Sequence, residues 1–142
     1  MKSSKKLSCG EYYYTMYEMP FEIVDKEKIL SPDCITDYTD INRNRYNTYF
    51  AKINGRDENK NEIRTYYKVT DKHLFINDWK TGDIIKFNKW DTRKKRNECE
   101  YFLIVKINKK HLLAVFQSTY LKCCKLKQQI KEGIYKIEDD EK

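Results

Sequence analysis

Two apolar runs, Tyr101-Phe-Leu-Ile-Val-Lys-Ile107 and His111-Leu-Leu-Ala-Val-Phe-Gln117, are separated only by Asn108-Lys109-Lys110. Such runs, joined by a short polar turn, read as an antiparallel hairpin. Upstream, Gly82-Asp83 is a turn signal, and Ile84, Ile85 and Phe87 begin a strand over 84–90 with Trp79 and Trp90 flanking it. Arg93-Lys-Lys-Arg96 then connects that strand to Tyr101. Turn, strand, basic loop and strand form a second hairpin. The centre of the chain therefore predicts a small barrel with positive charge on one rim.

The flanking stretches add strands and one helix. Glu11–Tyr17 is rich in tyrosine and suits a pleated surface, and Pro20 is expected to end that strand. Its tyrosines either cover the core alternately or present rings for stacking. Residues 21–30 follow neither period, Ser31-Pro32-Asp33 signals a turn, and 33–45 read as an irregular loop. Tyr46–Ile53 fits a strand or a short helix, and Asn54-Gly55 is a turn dipeptide. Glu62–Val69 alternates, with Ile63, Thr65, Tyr67 and Val69 on one face and Arg64, Tyr66 and Lys68 on the other. Thr70-Asp71 is expected to cap a short helical turn through Leu74–Ile76. Ser118 offers an N-cap to a helix over about 119–132, Gly133 stops it, and Ile134–Ile137 reads as a last strand.

The expected fold is α+β and mostly β: a small barrel with one or two short helices, the C-terminal one included. At 142 residues the chain is expected to be one domain, 1–142, with a flexible basic leader over 1–10 and a flexible acidic tail over 138–142.

Composition narrows the function classes. Lysine and arginine number 29 against 22 acidic residues, a net charge of +7, so phosphate backbones and other acidic surfaces are attracted. The competing explanation is solubility. Five cysteines, Cys9, Cys34, Cys99, Cys123 and Cys124, form no C-x-x-C pair, and only His73 and His111 are imidazoles, so no metal site is expected. No apolar segment follows Met1 and no run reaches membrane-span length, which points to a reducing compartment, cytosol or nucleus, with no membrane partner. Four glycines spread over the chain cannot form a phosphate loop, and no local Ser/His or Cys/His signature marks a nucleophile. No catalytic residue and no cofactor is assigned. A carboxylate pair such as Glu62 with Asp83 is left to the fold.

The basic residues carry the functional expectation. Lys86, Lys89, Arg93, Lys94, Lys95, Arg96, Lys109 and Lys110 fall along the two hairpins, with Trp79 and Trp90 flanking the first strand. Arg93–Arg96 is placed at one hairpin tip, Lys109-Lys110 towards the opposite end, and Lys86 between them. Cations beside exposed rings are what single-stranded nucleic acid needs: charge for phosphate and a π-face for the base. The opposing reading is that both tryptophans close the barrel ends and the lysines are a solvated rim.

Gly55-Arg56, Glu62-Ile63-Arg64, Lys80-Thr-Gly82-Asp83-Ile-Ile-Lys-Phe87 and the strand Tyr101–Ile107 resemble the ASCH group of PUA-like β-barrels over residues 50–107. The resemblance implies a small barrel whose cleft takes RNA or nucleotide-like ligands, with Arg56 and Arg64 lining it. Some ASCH proteins are amidohydrolases acting on acetylated cytidine, with a Lys and a Thr between that Gly and that Arg. Here Asp57-Glu-Asn-Lys60-Asn61 is two residues longer and has no Thr, so the activity is not carried over, although Lys60 is the residue that would stand in for the lysine.

The expectation is therefore a nucleic-acid-binding module with RNA or a ribonucleoprotein as partner. The alternatives are a factor that binds an acidic protein surface and, behind it, an ASCH-like hydrolase.

Overall fold

A computed structural model describes residues 2–25, 37–39, 45–47, 49–69, 73–91 and 95–139. They form β1 (Lys2–Cys9), β2 (Tyr12–Ile23), β3 (Asp37–Thr39), β4 (Arg45–Asn47), β5 (Tyr49–Arg56), β6 (Glu62–Lys68), β7 (Leu74–Ile76), β8 (Ile84–Asp91), β9 (Arg96–Ile107), β10 (His111–Gln117), α1 (Tyr120–Lys131) and β11 (Lys136–Asp139). The fold is mostly β with one C-terminal helix among the described residues. Both central hairpins are present: β8 pairs β9 from Ile84↔Leu103 to Asp91↔Arg96, and β9 pairs β10 around the Asn108–Lys110 turn.

The main sheet runs β11-β1-β2-β10-β9-β8-β5-β6, and it bends back on itself. β7 pairs in parallel with the end of β2, Phe21↔Leu74 and Ile23↔Ile76, and Val69 just beyond β6 bridges Leu74. The ring β2-β10-β9-β8-β5-β6-β7 is thereby closed. β2 serves two neighbours on one edge, β1 up to Glu18 and β7 from Phe21.

Phe50, Tyr67, Ile85, Phe102, Ile104, Leu112 and Ala114 fill the barrel. A second cluster covers the outer face beneath α1, where Leu103, Val105, Leu113 and Val115 meet Cys123 and Leu126. β9 and β10 belong to both clusters, so successive residues are buried on opposite faces. That is why their sequences are continuous apolar runs without alternation. Each fully buried aliphatic side chain here contributes about 1.5–3 kcal/mol.

α1 starts at Thr119 rather than Ser118: the Thr119 hydroxyl accepts from Lys122 N at 3.1 Å. It ends at Gly133, whose φ of +81° lets Gly133 N and Ile134 N reach back to Ile130 O and Gln129 O, each at 3.0 Å.

Several local expectations are corrected. The leader is not a fraying tail over 2–9 but strand β1, held between β11 and β2, with Leu7 fully buried. One leucine among polar residues is too thin a periodic signal to reveal a strand. β2 runs through Pro20, because Phe21 N donates to Lys110 O at 3.0 Å and Pro20 therefore occupies a position whose nitrogen faces away from β10, where β1 has already ended. Leu74–Ile76 is a strand, its inward Leu74 and Ile76 alternating with Phe75; the proposed cap, Thr70-Asp71, lies outside the described residues. Asn54-Gly55 is no turn. Gly55, at φ +115°, sits in a bulge of β5 between Ile53 and Arg56. The reversal comes after it, where Asp57 Oδ1 accepts from Asn59 N and Asn61 N, each at 2.9 Å.

The supposed loop over 33–45 contains β3, which pairs β4, and the stretch 46–53 is strand where it is described. The Ser31–Asp33 turn falls outside the described residues. At the other terminus β11 extends into the expected tail as far as Asp139, and 140–142 are outside.

Candidate functional site

The bulge at Gly55 sets the site. Two residues of β5 oppose one position of β6 there, and the strand resumes with Arg56 paired to Glu62. Arg56 is exposed and its guanidinium carbon stands 4.9 Å from the centre of the Tyr120 ring, at the first turn of α1. A cation over a ring with one side open to water is worth roughly 0.5–1 kcal/mol.

Below this pair lies a charged cluster. Glu62 Oε1 accepts from Lys86 Nζ at 2.9 Å, from Arg64 Nη2 at 2.7 Å and from Arg64 Nε at 3.1 Å, while Glu62 Oε2 accepts from the Tyr101 hydroxyl at 3.0 Å. Arg64 Nη1 reaches the Tyr66 hydroxyl at 3.4 Å. Three strands converge on one carboxylate. Ala51 of β5 pairs with both Lys86 and Tyr66, and its single methyl leaves the long side chains room to cross. Burial by itself would push the Glu62 carboxyl up. The bonds from Lys86, Arg64 and Tyr101 outweigh it and hold the group below its ordinary range. The Lys86 ammonium, which burial would push down, is raised by Glu62 and Tyr101, and the Arg64 guanidinium, which burial would also push down, is raised by Tyr66 and Glu62. Burial, then the bond to Glu62, pushes the Tyr101 phenol up, so it remains a donor.

Beside the cluster a groove of about 350 Å³ runs between α1 and the ends of β5 and β8, lined by Lys52, Asn54, Lys80, Asp83, Tyr120 and Lys127 among others. Its floor is neutralised. Lys52 Nζ lies 3.2 Å from Asp83 Oδ2 and donates to Asp78 O at 2.9 Å. Asp83 Oδ2 also accepts from Lys80 N at 2.9 Å, which closes the Gly82 turn. Gly82 is needed there: its φ is +96°, and a Cβ would meet Lys127 Cε at 3.0 Å. Lys80 and Lys127 are exposed at the rim. Asp83, the one acid lining the groove among the described residues, is already paired. Glu62 and Asp83 do not form a carboxylate couple; each is held by its own lysine.

No known family model matches this chain, nor does any curated protein or solved structure. The site has to be read from its own geometry. Among the described residues no group of three or more His, Cys, Asp or Glu side chains could hold a metal ion, and no helix is long and apolar enough to cross a membrane.

The residues singled out from sequence are divided by the fold. Arg56, Arg64 and Lys86 come together, although Lys86 and Arg64 share Glu62. Trp79 is half-buried, with its ring 5.6 Å from Phe50 and 5.3 Å from Tyr67 and with Lys52 Nζ 5.4 Å away. Lys89, Trp90 and Arg96 are placed by backbone register alone, opposite Glu98, Asn97 and Asp91. Arg93 and Lys94 lie outside the described residues. Lys95 is exposed at the hairpin tip, ~23 Å along β8 from Ile84. Lys109 and Lys110 are exposed in the β9–β10 turn at the opposite end. Lys60 is exposed in the 57–61 turn.

Sequence reasoning missed Lys52, Lys80, Tyr101, Tyr120 and Lys127. One signal was available: α1 carries four lysines, Lys122, Lys125, Lys127 and Lys131, and no acid. The rest depend on β6 and β8 flanking β5.

Proposed function

We propose that this chain is a nucleic-acid-binding module that takes single-stranded RNA, free or in a ribonucleoprotein, along the groove beside α1. The observation that carries the reading is the Arg56–Tyr120 stack at the edge of a groove whose rim cations, Lys80 and Lys127, face a floor with no spare carboxylate. Rim lysines meet phosphate. The Arg56–Tyr120 pair offers a flat, charged surface to a base. The ASCH resemblance of residues 50–107 agrees with this reading, since Arg56, Glu62, Arg64 and Lys86 of that stretch are neighbours here.

The test is fluorescence anisotropy of a labelled single-stranded RNA titrated with protein at a series of salt concentrations. Affinity is expected to fall linearly on a log–log plot. Lys80→Ala with Lys127→Ala is expected to make the slope shallower by about 1.4, roughly 0.7 for each phosphate contact removed. Absence of binding at low salt, or a double variant with the wild-type slope, overturns the proposal.

A protein partner is the second reading, and one observation favours it. Tyr12 and Tyr13 at the end of the β1–β2 hairpin are 79% and 55% exposed, an arrangement suited to interface anchors. Retention of an acidic partner after nuclease treatment, lost in Tyr12→Ala/Tyr13→Ala, would support it over the first.

A further inference from the structure

α1 rests on the sheet by a narrow stripe. Only Cys123 and Leu126 are fully buried, one helical turn apart. With 3.6 residues per turn, Tyr120, Cys124 and Lys127 then fall on one flank and Lys122, Lys125 and Gln129 on the other. The first flank is a wall of the groove already described. The second is a wall of another groove, of about 390 Å³, completed by Tyr14 of β2, Gln117 at the end of β10 and Tyr135 before β11.

The chemistry of this second groove is specific. Its polar lining is two lysines, two carboxamides and two phenols, and no acid lines it among the described residues. Lys122 and Lys125 are exposed; Lys122 Nζ donates to Ser118 Oγ at 3.0 Å, which leaves further N–H groups on it for a phosphate at little desolvation cost. Tyr14 and Tyr135 form a tilted pair with centroids 5.6 Å apart. Gln117 is 8% exposed, and Gln129 is half-buried. A carboxamide donates and accepts at once, which suits the edge of a base better than it suits a simple anion. The lining matches a nucleotide in all its parts: charge for the backbone, a ring for the base and amides for its edge.

We propose that this groove is a second nucleotide-binding site, and that one single strand of RNA occupies both grooves by passing over α1. The inference rests on the reading of the first groove. α1, ~10–12 Å across with its side chains, is the only element between the two flanks among the described residues, and its lysines face both of them. A strand that crosses it meets Lys127 on one side and Lys122 and Lys125 on the other. The positive charge of the helix then serves a purpose on both flanks, where a single groove would use only one.

The test combines a length series with crosslinking. Wild-type protein is titrated with single-stranded RNA from trinucleotides upwards, and 4-thiouridine-substituted strands are crosslinked and mapped to peptides. Affinity is expected to rise in two stages, with long strands crosslinking near Tyr120 and also at Tyr14 or Tyr135. Lys122→Ala with Lys125→Ala, both at exposed positions, is expected to remove the second stage. The salt slope for long strands should then fall by about 1.4, with short-strand binding unchanged. Crosslinks confined to the Tyr120 side, or a variant with the wild-type length dependence, overturn the second site and leave the first reading standing. Failure of wild-type protein to bind any strand overturns both.

Discussion

Glu62 Oε1 accepts a hydrogen bond from Lys86 Nζ at 2.9 Å across the back of β5, a strand that separates the two residues in the sheet. The bond joins β6 to β8 outside the backbone ladder. It also decides how much of the local positive charge faces solvent. Arg64 and Lys86 are both spent on one carboxylate, and Arg56, directly opposite Glu62 in the register, is not.

Replacing that carboxylate separates its structural role from its electrostatic one. In Glu62→Gln the shape is kept and the charge is lost, so Lys86 is left without a counter-ion beside Arg64. The cost is expected to be about 1.5–3 kcal/mol, the range for hydrogen bonds to charged groups, read from urea unfolding. RNA affinity of the folded protein is expected to rise, because two cations are released. A variant that is both less stable and weaker in binding would show that the cluster positions the site rather than neutralising it.

The same carboxylate predicts an acid limb in stability. Its folded pKa lies below the ordinary 4.5 because the donated bonds outweigh burial. A lowered folded pKa means that the stabilisation is present above pH 4.5 and is lost as pH falls through the folded value. Urea midpoints measured from about pH 6 down to pH 3 should decline more steeply in wild type than in Glu62→Gln.

Cys123 and Cys124 are adjacent yet chemically unlike. Burial, with Cys124 adding a smaller contribution, pushes the Cys123 thiol up to about 12, and its side chain is wholly enclosed beneath α1. Cys124 lines the first groove. Alkylation of native protein near pH 8, mapped by mass spectrometry, should modify Cys124 and spare Cys123 until denaturant is added. Bound RNA should slow the Cys124 reaction, and an unchanged rate in a saturated complex would place the RNA elsewhere.

Gly82→Ala tests the turn and the rim together. The backbone at φ +96° strains any L-residue, and the new methyl crowds Lys127 Cε at 3.0 Å. A loss of more than about 1 kcal/mol is expected, accompanied by weaker RNA binding as Lys127 moves aside. Gly55→Ala meets nothing within 4 Å, so its effect should be backbone strain alone, seen as lowered stability.

Trp79 should behave as a core residue. Its ring is packed against Phe50 and Tyr67, and its indole Nε1 is buried with no hydrogen-bond partner. Trp79→Ala is expected to lower stability by about 3 kcal/mol or more. Trp79→Phe keeps much of the packing, removes the unpaired donor, and should leave RNA affinity unchanged. A loss of affinity in Trp79→Phe would instead make Trp79 a stacking platform.

What was legible in the sequence is what nearest neighbours decide. The β8–β9 and β9–β10 hairpins follow from apolar runs and turn residues close in sequence, and the alternation of Glu62–Lys68 follows from period two. α1 and its glycine stop follow from local capping chemistry. Tertiary structure decided the remainder. β1 has too few apolar residues and β7, three residues long, is too short to declare itself, and they exist because β2 offers an edge to each. Asn54-Gly55 has the composition of a turn, but pairing on both sides of β5 made it a bulge. The meeting of Arg56 with Tyr120 and of Glu62 with Lys86 and Tyr101 depends on which strands lie side by side. That choice is made by packing over the whole barrel, a non-local energy that no window of the sequence contains.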